Sequence, residues 1–240
     1  MHLSLSEADH RRFSTITAKA SEISATDLST LDAFCHENAV RLSITRVNAN
    51  DLRVVQALES DGYRLMDTLT YYAFKFGKKP IPEDTSGHVL RLAQADDIDP
   101  VTAIAEASFK GYYGHYHADP RLPDEQCDAV YVDWATRSVK SPEMADAVFV
   151  VARDGQLDGF ATLRRNNEEE GEGVLFGVAP HAQGQGIYKA MMIRGMQWCQ
   201  QQGVTQMIVS TQITNIAVQK VWARLGFEMN RAYYTLHKWF

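Results

Sequence analysis

A glycine-rich turn at the start of a helix is the feature that most constrains the fold of this chain. The apolar strand that ends at Val178 is followed by Pro180, which cannot extend a strand, and then by Gln183-Gly184-Gln185-Gly186. From Ile187 onward apolar residues recur at helical spacing, so the turn opens directly into a helix. The first amides of a helix lack carbonyl partners, and the helix dipole favours an anion there. The sequence therefore predicts a phosphate-binding turn.

The composition narrows the range of partners. The 240 residues carry a formal net charge of -6, which disfavours non-specific nucleic-acid binding, so we expect no nucleic-acid partner. No apolar run approaches the roughly 20 residues of a membrane span, and the N-terminus lacks an apolar signal core. We therefore expect a cytoplasmic protein with no membrane partner. Cys35, Cys127 and Cys199 are far apart and form no Cys-x-x-Cys pair, so we expect neither disulfides nor a metal site.

A Pro-rich, charged segment divides the chain. We predict a small N-terminal α/β domain at 1–77, a linker at 78–87 and a larger domain at 88–240. The larger domain has the predicted order β-α-α-β-β-β-α-β-α-β, with a turn at Asp154-Gly155 and an ordered aromatic loop at 111–122. This order predicts a mixed sheet with helices on both faces.

Two segments of the chain share a weak internal similarity. Each consists of a helix, a Gly-aromatic pair and a strand, at 58–74 and again from Trp222 onward. One interpretation is that the N-terminal domain is a shortened relative of the last half of the larger domain, without the glycine turn. The other is chance, because Gly-aromatic pairs after helices are common.

The glycine turn resembles the cofactor motif of the GCN5-related N-acetyltransferases, Gln/Arg-x-x-Gly-x-Gly/Ala, with Gln183, Gly186 and Tyr188 at its marked positions. A strand and an Asn215-initiated helix follow in the family's order. The resemblance covers 90–240 and implies the α/β (α+β) fold of that family. Its mixed, mostly antiparallel sheet is splayed and flanked by helices, here after a smaller, truncated domain of the same kind. It also implies acetyl-CoA as co-substrate and no metal.

The resemblance implies where acetyl-CoA binds. The pantetheine arm lies in a V-shaped gap between the strand that ends at Val178 and the strand 206–210. The amide of Val178 then stabilises the oxyanion of the reaction. The implied cofactor-binding residues are Phe176, Gly177, Val178, Gln183, Gly184, Gln185, Gly186, Ile187, Tyr188 and Asn215.

Two positions depart from the family pattern. Tyr188 replaces the final Gly or Ala of the motif, and we expect it to have a structural role. Trp222 stands seven residues after Asn215, where many members carry a Tyr that protonates the departing thiolate. An indole is no practical proton donor, so we expect Trp222 to pack in the core. The proton then comes from Tyr233, Tyr234 or water, or the thiolate leaves unprotonated.

The acceptor is expected to be a small-molecule amine. The segments 210–217 and 233–240 resemble members of the family that acetylate the amino group of an amino-dideoxy sugar nucleotide. Aromatic rings, hydrogen-bond donors and a cation in the loop 112–121 suit such a ligand. The predicted substrate-binding residues are Tyr113, His115, Tyr116, His117, Arg121, Thr211 and Gln212. Candidate bases are His181, His115 and His117.

Other functions stay open at this point. Alternative acceptors are an antibiotic, a polyamine or a protein N-terminus. Tyr188 and Trp222 also leave room for a non-catalytic domain that binds CoA. A homodimer is possible, although no sequence feature supports it.

Overall fold

The structure is a computed structural model, and it describes residues 1–153 and 155–240. Within these ranges the chain forms ten strands, all in one sheet, and seven α-helices. The strands are β1 His2–Leu5, β2 Thr17–Ser21, β3 Leu42–Asn48, β4 Arg64–Lys75, β5 Leu90–Leu92, β6 Ala147–Arg153, β7 Gln156–Arg165, β8 Glu170–Val178, β9 Gln206–Gln212 and β10 Glu228–Trp239. The helices are α1 Glu7–Phe13, α2 Leu28–Glu37, α3 Leu52–Ser60, α4 Ile98–Phe109, α5 Asp124–Lys140, α6 Ile187–Gln201 and α7 Ile216–Leu225.

The predicted order of elements after residue 88 is confirmed. The loop 111–122 contains neither an α-helix nor a strand, as Pro120 within it and Pro123 just after it predict. Asp154, half of the predicted hairpin turn, lies outside the described residues, whereas Gly155 has a φ of +80°, which favours glycine. None of the helices in the described ranges has both the length and the apolar character that crossing a membrane requires.

The sheet joins the two ends of the chain. Its strand order is β1-β2-β3-β10-β4-β9-β8-β7-β6-β5, so β10 lies between β3 and β4. At the centre of the sheet, strands that precede the predicted linker therefore alternate with strands that follow it. The division of the chain into two domains at 78–87 stays a prediction. Among the described strands only β2–β3 and β8–β9 pair in parallel. The predicted mixed, mostly antiparallel sheet is confirmed.

The internal similarity has a structural counterpart. The units β3-α3-β4 and β9-α7-β10 are both strand, helix and strand, and each helix begins at a side-chain cap, Asp51 or Asn215. β10 pairs antiparallel with β3, while β4 pairs antiparallel with β9, so the last strand of each unit pairs with the first strand of the other. This exchange supports the interpretation that the two units are related.

Helices cover both faces of the larger half of the sheet. Val150 and Phe160 are fully buried in a cluster with α4 and α5. The adjacent Phe149 and the nearby Leu163 lie in a second cluster with α6 and α7. Neighbouring strand residues point to opposite faces, so burial on both faces requires the continuous apolar runs that the sequence shows at β6 and β7.

Candidate active site

The site begins where β8 and β9 separate. Their parallel pairing ends at Gly173 and Val209, and beyond this pair β8 continues only alongside β7. The amide of Ala179 donates to the carbonyl of Asp158 on β7 at 2.9 Å. Because hydrogen-bonded positions alternate along an antiparallel pair, the backbone groups of Val178 and Phe176 point away from β7, into the gap. The splayed strands that the family resemblance implied are present.

The glycine turn lies at the mouth of this gap. After β8 a short 3₁₀ turn covers Pro180–Ala182, and α6 begins at Ile187 with Gly186 as its N-cap. Gly184 and Gly186 have φ values of +76° and +81°, and a Cβ on either would meet nothing within 4 Å. Glycine is needed here for the backbone conformation, and the space beside it is open. Free amides at a helix start beside open space fit a pyrophosphate group.

A cavity of about 1230 Å³ extends from the turn, through the gap, to the N-terminal part of the chain. Eight of the ten predicted cofactor-binding residues line it. These are Phe176, Val178, Gln183, Gly184, Gly186, Ile187, Tyr188 and Asn215. Asn215 both caps α7 and donates from Nδ2 to Thr211 Oγ1 at 3.1 Å, so it fixes the end of β9 beside the gap.

Gln185 and His181, which were predicted to act in the site, lie behind the turn rather than in the cavity wall. His181 Nε2 contacts Asp158 Oδ1 at 2.9 Å. The Gln185 side chain accepts from Arg153 at 2.8 Å and donates to the His181 carbonyl at 3.0 Å. These contacts hold the turn in place, since they tie it to the end of β6 and to β7.

Gly177 also lies outside the cavity wall, and its role is packing. A Cβ at Gly177 would stand 2.5 Å from the ring of Phe160, its partner across β7 and β8. We predict that Gly177→Ala lowers the free energy of unfolding by about 1–3 kcal/mol, because the buried ring must move. Urea unfolding measures this loss. Adding Phe160→Leu should recover part of it, and no recovery would contradict a steric cause.

Tyr188 and Trp222, the two departures from the family motif, contact each other. Trp222 Nε1 donates to the Tyr188 hydroxyl at 2.9 Å, and both residues line the cavity. The Tyr188 ring packs against Phe176 at 5.6 Å, and Trp222 packs against Tyr72 at 5.5 Å. Burial raises the pKa of Tyr188 well above its usual value, so the phenol stays protonated at neutral pH. The hydrogen bond between them explains why a large side chain at position 188 occurs together with a tryptophan at position 222.

The loop between α4 and α5 closes the side of the cavity where the sequence predicts the acceptor. The Tyr112 hydroxyl contacts Thr211 Oγ1 at 3.0 Å and also bonds to Gln212, at the end of β9. His115 and Tyr116 line the cavity from the same loop, as do Thr211 and Gln212. Four of the predicted substrate-binding residues thus come together at the cavity wall, with Tyr112 as a fifth residue that sequence reasoning did not single out.

The other predicted loop residues do not line the cavity. The Tyr113 side chain is 65% exposed, and His117 is held by Asp128 at 3.0 Å. The guanidinium of Arg121 lies 5.3 Å above the Trp239 ring. The loop is folded rather than extended, so its alternate residues do not share one face. This folding could not be inferred from the sequence.

Tyr233 and Tyr234, the predicted proton donors, are also absent from the cavity wall. Tyr233 packs edge-on against Tyr71 at 5.5 Å, and Tyr234 packs in the core of the N-terminal segment. Both residues lie on β10, which β4 and β9 separate from the gap beside β8.

The N-terminal segment and α5 together supply a charged wall of the cavity that sequence reasoning missed. Four cations and two carboxylates line it, namely Arg12, Lys19, Arg46, Arg137, Asp9 and Asp133. Asp9 pairs with Lys19 at 2.6 Å, and Asp133 pairs with Arg12 at 3.0 Å. Arg46 has no carboxylate within 4.0 Å in the described ranges. This wall therefore carries an excess of positive charge, in a protein whose net charge is -6.

A splayed sheet with a glycine turn at the start of α6 defines a class of acyl-transferring proteins, and sequence similarity agrees. Residues 105–227, just over half of the chain, match the Acetyltransferase (GNAT) family. The chain belongs to this family, whose members generally use acetyl-CoA.

Individual relatives are more distant. The chain is 24% identical over 212 residues to the dTDP-fucosamine acetyltransferase of Escherichia coli O6:H1, which covers 88% of this chain and 86% of that protein. It is 36% identical over 80 residues to the mycothiol acetyltransferase of Streptomyces avermitilis, spanning 33% of this chain and only 26% of the relative. A GCN5-related N-acetyltransferase from Sphaerobacter thermophilus shares the fold, with a TM-score of 0.68 at 16% identity, over 99% of this chain and 76% of that one.

Proposed function

We propose that this protein is an N-acetyltransferase that transfers the acetyl group of acetyl-CoA to the amino group of a small molecule. The observation that carries the proposal is the open glycine turn at the start of α6, which leads into the gap between β8 and β9. One end of the cavity thus suits the pyrophosphate of CoA. The other end, at β2, β3 and α5, is lined by charged side chains instead of a glycine turn, and we assign it to the acceptor.

The residues in the gap suit direct attack by the amine. Acetyl-CoA supplies the activated acetyl group as a thioester. The Val178 amide faces the gap and is positioned to donate to an oxyanion, while its carbonyl accepts from Ser108 Oγ at 2.9 Å. The Tyr188 hydroxyl accepts from Trp222 and keeps its own proton free to donate. Tyr188 is therefore the proton donor we assign, in place of Tyr233 and Tyr234.

For the acceptor we propose an amino-dideoxy sugar nucleotide. The positive charge of the cavity wall suits a pyrophosphate, and it comes from Arg12, Lys19, Arg46 and Arg137. A polyamine or an aminoglycoside is a cation and requires a negatively charged wall instead. The similarity to dTDP-fucosamine acetyltransferase spans most of both chains, which gives this class further support. Arg46, the cation without a carboxylate partner, is the residue best suited to bind a phosphate.

The test uses the purified full chain, acetyl-CoA and dTDP-4-amino-4,6-dideoxygalactose. We expect acetyl-CoA to raise the melting temperature and thiol release to begin when the amino sugar is added. dTDP-fucose, which has a hydroxyl in place of the amine, is the matched control and should release no thiol. Turnover with an antibiotic or polyamine but not with the sugar nucleotide would overturn the proposed acceptor. Stabilisation without turnover of any amine would indicate a non-catalytic CoA-binding protein.

A further inference from the structure

A chain of three buried polar residues leads from the interior of the protein to the cavity. His115 and Asp119 lie in the loop between α4 and α5, whereas His237 lies on β10. His115 Nδ1 is 3.0 Å from His237 Nε2, and His237 Nδ1 is 2.8 Å from Asp119 Oδ2. The exposed fraction is 6% for His115, 1% for His237 and 2% for Asp119. Three polar groups buried in a row require consistent hydrogen bonding.

The carboxylate fixes the direction of these hydrogen bonds. Asp119 accepts from Trp239 Nε1 at 2.7 Å and from the Arg121 amide at 3.1 Å, and these bonds with the one from His237 hold its pKa low although burial opposes this. An ionised carboxylate only accepts, so His237 Nδ1 carries a proton, and in the neutral ring the lone pair is then on Nε2. His115 Nδ1 must then donate to His237, which leaves the lone pair of His115 on Nε2.

The second ring nitrogen of His115, Nε2, is at the cavity wall. His115 lines the cavity beside Lys19 and Arg46, and in the part of the chain that the structure describes its Nε2 bonds to no protein group. Burial, reinforced by the nearby cations Arg46 and Lys19, holds the pKa of His115 well below its usual value. The imidazole is therefore neutral at neutral pH and presents an acceptor to the substrate.

We propose that His115 is the general base that removes a proton from the acceptor's ammonium group, and that His237 and Asp119 are positioning residues that hold it in the Nδ1–H tautomer. This proposal rests on the proposed acetyl transfer.

In the proposed step, the lone pair on His115 Nε2 takes one proton from the ammonium nitrogen, and the neutral amine forms. The imidazolium that results is stabilised through its Nδ1–H by His237, which Asp119 holds in place. The amine nitrogen then forms a bond to the acetyl carbon, the carbon–sulfur bond breaks, and the sulfur leaves with the electron pair. The new amide loses its second proton as the sulfur gains one.

His115→Asn tests the base directly. The Asn Nδ2 can still donate to His237 in place of Nδ1, but the variant has no proton acceptor at the position of Nε2. We expect kcat with dTDP-4-amino-4,6-dideoxygalactose to fall on the order of 10²-fold, with little change in the affinity for acetyl-CoA. The matched control is His10→Asn, an exposed histidine of α1 outside the cavity wall, which should keep most of its turnover. Equal turnover by His115→Asn and the wild type would overturn the proposal.

Nitrogen-15 NMR of labelled histidines gives an answer without any acceptor. The signal lost in His115→Asn identifies His115 in the wild type. We expect an Nδ1–H tautomer that stays neutral well below pH 6.5, and loss of that single tautomer in Asp119→Asn together with a fall in kcat. A wild-type His115 in the Nε2–H tautomer, or charged at neutral pH, would overturn the base assignment. If thermal shift shows no acetyl-CoA binding, the proposed function fails instead, and this readout distinguishes the two failures.

Discussion

Gly186→Val is expected to weaken acetyl-CoA binding at least tenfold while the chain stays folded. Gly186 caps α6 with a φ of +81°, next to open space where the pyrophosphate is proposed to lie. A β-branched side chain projects into this space and keeps the phosphate from the first amides of the helix. A tenfold change corresponds to about 1.4 kcal/mol, less than a phosphate contact with several amides can contribute. Isothermal titration with CoA measures the change.

Backbone strain is a separate cost that needs its own control. Gly203, at the end of α6, has a φ of +77° and open surroundings but lies outside the cavity wall. Gly203→Val should therefore lose about 1–2 kcal/mol of stability, as Gly186→Val does, and keep its affinity for CoA. Equal affinity in both variants would contradict a phosphate site at Gly186.

Tyr188→Phe is expected to reduce kcat on the order of 10²-fold with little effect on acetyl-CoA affinity. The change removes the hydroxyl that Trp222 holds at 2.9 Å, while the ring can keep its packing against Phe176. Loss of the hydrogen bond costs about 1 kcal/mol of stability, too little to unfold a domain of this size. Steady-state kinetics with both substrates varied separates the effects on kcat and KM.

A second substitution makes this prediction specific. Trp222→Phe leaves the Tyr188 hydroxyl in place and should keep most of the turnover. Adding Trp222→Tyr to Tyr188→Phe puts a phenol at the position where many relatives carry one, and it should recover much of the lost kcat. Full activity in Tyr188→Phe, or no recovery in the double variant, would count against Tyr188 as the proton donor.

The sequence alone predicted the half of the site that we propose to bind the cofactor, because its chemistry is local. Gln183, Gly184 and Gly186 lie between a strand and a helix that follow each other directly, and both glycines have the backbone conformation that only glycine adopts easily. Gly177 and Gln185, which lie outside the cavity wall, contact neighbours from β6 and β7 that local patterns do not reveal.

The half of the site that we propose for the acceptor was decided by the tertiary structure. Lys19 and Arg46 come from strands of the N-terminal segment, and His237 reaches His115 across 122 positions of the chain. Tyr188 and Trp222 lie on separate helices, and the sequence does not indicate that they are in contact. Only the fold places the indole nitrogen against the hydroxyl. Contacts of this kind depend on how β10 inserts between β3 and β4. No periodicity or motif encodes that insertion, because strand order follows from the packing of the whole sheet.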